Sequence, residues 1–165
     1  MSSLIHLFIV DETVYPNTLE ASDEEKYQEL LEITEKEAIR WQTIELNMRG
    51  FMPALELWDS IVGSSSLLPV CTFNYYPHQL IGPDADISGS FGFFSSQMVQ
   101  DLFPLMQAHY DTDINSTETQ NLIVDVEQKA GELDLHAYEI VRDRYFSTFR
   151  DAAEQGKSIV VLIEE

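Results

Sequence analysis

Cys71 and His78, with Asp84 or Asp86 beyond them, are residue types that can form a thiolate–imidazole pair held by a carboxylate. In such a pair the imidazole takes the thiol proton and the carboxylate fixes the ring. Pro77 lies between the two, so a shared site depends on the fold. A cysteine inside the apolar run 70–76 reads more simply as a small buried hydrophobe. A second approach to chemistry is Ser88-Gly89-Ser90-Phe91-Gly92, which nears a nucleophile elbow but lacks its first glycine. The elbow also needs a strand, a sharp turn and then a helix, whereas an aromatic strand follows this serine. Asp111, Asp113 and Asn115 occupy the first, third and fifth positions of a calcium loop. Leu122 stands where that loop needs its bidentate glutamate, so the acids read as turn and cap residues. His6, His78, His109 and His136 show no paired ligand spacing, and no structural zinc site is expected. No complete catalytic constellation, metal site or cofactor site emerges.

The segment 74–94, NYYPHQLIGPDADISGSFGFF, gathers polar and aromatic groups and reads as a long connection that could line a pocket. Tyr75, Tyr76, His78 and Asp86 are its candidate ligand-binding residues. Arg150 joins them as a cation able to reach a bound anion. The plainer reading of Arg142, Arg144 and Arg150 is that they neutralise neighbours such as Asp143 and Asp151.

The elements that position these groups follow from apolar spacing. Residues 4–10, LIHLFIV, form a first strand. Ser22 with Glu25 suggests a capping box opening a long amphipathic helix over about 23–47. Its outer face carries Glu24, Glu25, Glu29 and Glu32, then Glu35 and Glu37, with Lys36 four residues after Glu32. Pro53 suits the first turn of a short second helix that Gly63 ends. Residues 70–76 form a strand stopped by Pro77, and 91–94 form another. Ser95 or Ser96 caps a helix with Val99, Leu102, Phe103, Met106 and Tyr110 on one stripe, kinked at Pro104. Residues 118–130 fit either a helix opened at Thr117 or a strand. Asp134 caps the last helix, Gly156 terminates it in a left-handed conformation, and 159–163, IVVLI, closes the chain as a buried strand. These elements imply one α+β domain over residues 1–165: a small antiparallel or mixed sheet packed on several helices, ending helix then strand.

Composition narrows function. At 165 residues a domain buries about 70% of its unfolded surface. The 29 acids against 9 bases give a net charge of −20. That balance repels phosphate backbones and anionic membranes, and a basic protein is the partner it favours. The acids Glu24, Glu25, Glu29 and Glu32 are the candidate contact residues for it. Only one cysteine is present, so no internal disulfide forms, and the short apolar start carries neither a signal-peptide pattern nor a membrane span. A cytoplasmic location is expected.

The end of the chain, YFSTFRDAAEQGKSIVVLIEE (145–165), resembles the C-terminal end of the YfbM-like family of small bacterial proteins. Phe149, Arg150, Ala152, Ala153, Gly156 and the strand after it carry the likeness. The segment GSFGFFSSQMVQDLF (89–103) resembles the family's glycine-containing lead into a capped helix, and Trp58 its tryptophan helix. The acidic helix near the N-terminus departs from the pattern. What the resemblance implies is a single α+β domain; the family is functionally uncharacterised and lends no activity. The expected function is a non-enzymatic, immunity- or inhibitor-type interaction protein. The alternative is a small-molecule-binding or hydrolytic protein using a pocket at 74–94.

Overall fold

The computed structural model describes residues 2–16, 19, 22–63, 67, 73–75, 78–81 and 90–164. Strand β1 (Ser2–Val10) lies between β2 (Arg40–Asn47) and β6 (Ser158–Glu164), and β5 (Ser90–Phe94) extends the sheet in the order β2-β1-β6-β5. Every pairing in it is antiparallel. The two central strands read as unbroken apolar runs because both of their faces are covered. Ile5, Leu7, Ile9, Ile159, Val161 and Ile163 face one core, while Phe8, Val10, Val160 and Leu162 face another. A short hairpin, β3 (Phe73–Tyr75) with β4 (His78–Ile81), forms a separate two-stranded ladder.

The larger core is closed by four helices: α2 (Met48–Val62), α3 (Ser96–His109), α4 (Thr117–Ala130) and α5 (Leu135–Gln155). From them Phe51, Trp58, Met106, Val126, Tyr138, Tyr145 and Phe149 are all buried. The opposite face is covered by α1 (Asp23–Glu37), whose Leu30 packs with Tyr15 and Leu19 over Phe8 and Leu162. Thr34 donates its hydroxyl to the Leu30 carbonyl at 2.8 Å, so the Tyr15 hydroxyl, 2.6 Å away, must donate to Thr34. Burial raises the Tyr15 phenol above its ordinary value. The α+β class, with its closing helix and strand, is as the sequence implies.

Several local expectations change, and one alternative left open is settled. The first helix stops at Glu37, and 40–47 pairs with β1 instead. Trp41, Thr43, Glu45 and Asn47 are exposed and alternate with more buried neighbours. That is the period of a half-covered edge strand, which a helical reading through Trp41 overlooks. Ser22 occupies the N-cap position of α1, but its side chain makes no capping bond. Helix α2 begins at Met48, before Pro53, because the Asn47 side chain accepts from the Gly50 amide at 2.7 Å. Residues 118–130 are helical, opened by Ser116, whose hydroxyl accepts from the Thr119 amide at 3.2 Å. Ser95, Asp134, Gly63 and Gly156 act as the sequence implies, and α3 runs on through Pro104 to His109.

Candidate functional site

His6 is the polar centre of the described sheet. It sits on β1, only 7% exposed, directly opposite Thr43 on β2 and beside Glu164 of β6. Its Nδ1 lies 2.9 Å from Thr43 Oγ1 and 3.0 Å from Trp41 Nε1, and its Nε2 lies 3.0 Å from Glu164 Oε2. The indole N–H can only donate, so Nδ1 must carry the lone pair and Nε2 the proton. Nε2–H then donates to Glu164. Trp41 meets the imidazole edge-on at 5.6 Å between ring centroids and packs on Phe8 at 4.8 Å.

A hydroxyl, an imidazole and a carboxylate in one chain of hydrogen bonds is the connectivity of a nucleophilic triad. Acyl transfer also needs donors aimed at a developing oxyanion. β1 is paired on both sides, so its amides serve the two ladders rather than a ligand. The cluster can therefore hold and position a proton, but it has no oxyanion cradle from β1. Sequence reasoning passed over His6 because Thr43 and Glu164 stand 37 and 158 residues away.

Of the sequence-derived ligand residues, the described residues bring together only Tyr75 and His78. Tyr75 and His78 pair across the β3–β4 ladder, with only their backbone described, while Cys71, Tyr76, Asp84, Asp86, Ser88 and Gly89 lie outside the described residues. Ser90 opens a strand, where an elbow would need a helix. Arg150 is on the outer side of α5 and bonds Asp151 at 3.2 Å, which also takes Arg40 from β2. Arg142 is stacked 4.6 Å above the Tyr110 ring and pairs with Asp143 at 3.0 Å. Burial pushes the neighbouring Tyr138 phenol up to about 12. In the acidic loop, Asp113 Oδ1 accepts from the Asn115 amide at 2.9 Å, an Asx turn leading into the Ser116 cap. Among the described residues, no three His, Cys, Asp or Glu side chains converge as a metal site.

Among the described residues, two open hollows flank α5. One, of about 750 Å³, lies where α2 and α5 begin and α4 ends, with Arg49, Glu132 and Asp134 on its walls. Its Asn47 and Asp134 side chains are already spent on helix caps. The other, of about 360 Å³, lies between β2 and α5 at Thr43, Glu45, Ile140 and Arg144. Neither holds a residue of the 74–94 segment.

No protein-family model and no curated protein matches this chain. It is similar to one solved structure, described as that of a protein of unknown function, YfbM, from Escherichia coli. That likeness has 14% identity and a TM-score of 0.47, over 97% of this chain and 99% of the other. At that identity the chain is not thereby a member of the family, and its α+β class rests on its own strands and helices.

Charge is the remaining property of the surface. Glu25, Glu29, Glu32, Glu35 and Glu37 are exposed along α1; Glu24 is on the same helix, with its side chain outside the description. Arg40, Lys129, Arg142, Arg150 and Lys157 each contact a carboxylate. Among the described residues those five bases engage four acids, Asp151, Glu56, Asp143 and Asp11, because Asp151 is shared. Most of the 29 acids are therefore left without a lysine or arginine among these pairs. Among the described residues, no helix is long and apolar enough to cross a membrane.

Proposed function

We propose that this chain is a non-enzymatic interaction protein of the immunity or inhibitor type, acting in the cytoplasm on a basic protein partner. The observation that supports this reading is the row of exposed acids on α1, Glu25, Glu29, Glu32, Glu35 and Glu37, in a chain of 29 acids against 9 bases. An extended field of one sign steers an oppositely charged protein into encounter and repels nucleic acid. Glu24, Glu25, Glu29 and Glu32 form the contact face in this proposal. Its lone cysteine suits a reducing compartment.

The test is capture from lysate by the tagged chain, and by a variant carrying Glu25→Gln, Glu29→Gln and Glu32→Gln. The expected result is a basic protein retained at low salt, released as ionic strength rises, and held less well by the variant. Capture that is indifferent to both salt and the substitutions would overturn the proposal.

A further inference from the structure

We propose that His6 is a proton-operated switch for Trp41, holding the indole against the sheet when neutral and releasing it when protonated. Neutral His6 has one in-plane lone pair, at Nδ1, and the Trp41 indole N–H at 3.0 Å depends on it. No other acceptor of that N–H is recorded among the described residues. When Nδ1 takes a proton from solvent it becomes a donor. Thr43 adjusts, because a hydroxyl that donated at 2.9 Å can rotate and accept. Trp41 cannot adjust, since an indole never accepts, and two N–H groups then face each other. Trp41 is 48% exposed, so water is at hand to take the N–H as the ring leaves the imidazole.

None of the groups around the imidazole offers the Trp41 N–H a second acceptor among the described residues. From β6, Glu164 stays 3.0 Å from Nε2 and is the carboxylate paired with the imidazolium. On β2, Glu45 lies diagonally beyond Thr43, opposite Leu4. The neighbours on β1 are Leu4 and Phe8, and α1 presents apolar Leu30, Leu31 and Ile33 to the far part of this face. No lysine or arginine is among the recorded partners of His6. The cluster spans β2, β1 and β6, so the switch sits where an exposed aromatic meets the edge strand. Histidine is the side chain whose ordinary titration falls in the physiological range.

The experiment follows the imidazole and indole nitrogens of the full chain by NMR from pH 8 to pH 5. The Trp41 signal is distinguished from that of Trp58 by Trp41→Phe. At pH 8 the His6 ring should carry its proton on Nε2. As it gains the second proton, the Trp41 indole resonance should move with the same midpoint while that of Trp58 stays. Full release at most about doubles exposure from 48%, so acrylamide quenching of Trp41 should rise by up to about twofold. His6→Gln should abolish the transition, and His109→Gln and His136→Gln should leave it intact. A proton on Nδ1 at pH 8 overturns the proposal, and this reading needs no variant to fold. So does an imidazole that stays neutral to pH 5, or a Trp41 signal that ignores its titration.

Discussion

Tyr145→Phe should make this protein more stable. The Tyr145 ring of α5 is fully buried in the larger core, stacked on Phe149 at 6.1 Å, and its hydroxyl has no hydrogen-bond partner among the described residues. Burial, with the Asp59 charge adding to it, holds the phenol well above its ordinary value, as expected for a hydroxyl stripped of water. Burying an unsatisfied polar group costs about 1–3 kcal/mol. Removing the oxygen recovers that cost and gives up a few dispersion contacts worth about 0.5 kcal/mol in total. The net expectation is about 1 kcal/mol of added stability, or roughly 2–4 °C in Tm for a chain of this size. Urea unfolding of both proteins reads this directly, with a higher midpoint and an unchanged slope. A variant less stable by about 1 kcal/mol would mean that the hydroxyl is bonded, and would refute the reasoning.

Gly156 closes α5 at φ 66°, and a Cβ added there would meet nothing within 4 Å. Gly156→Ala should therefore cost about 1 kcal/mol from backbone strain alone, measured by the same unfolding curves. Asp11 accepts from Lys157 at 2.9 Å and from Thr13, which holds its carboxyl well below its ordinary 3.8. A depressed carboxyl contributes stability that is present above 3.8 and lost as pH falls through its folded value. Lys157→Met should flatten that acid loss; a variant that tracks the parent below pH 3.8 would contradict it.

Elements whose signals are local were legible in the sequence. The apolar run of β1, the Ser95 and Asp134 caps, the Gly63 and Gly156 stops and the β6 run all carry their own chemistry. The boundary between α1 and β2 was not, because Ala38 and Trp41 continue a helical spacing by coincidence. What makes 40–47 a strand is its partner, β1, more than thirty residues away in sequence. Pro53 misled similarly, since the start of α2 is set by the Asn47 cap rather than by proline's fixed φ. The His6 cluster illustrates the same limit for function. Its members come from three strands and share no spacing, so only the sheet order brings them together. By contrast, the charge imbalance was fully readable, and the ion pairs of Arg142 and Arg150 match the expected neutralisation of Asp143 and Asp151.

Whether acidity is how this protein works is decided most directly by association kinetics with the captured partner. The rate constant should fall at least about tenfold as salt rises from low to physiological strength, and again with the three glutamines on α1. An association rate that is the same in all four conditions would contradict the account.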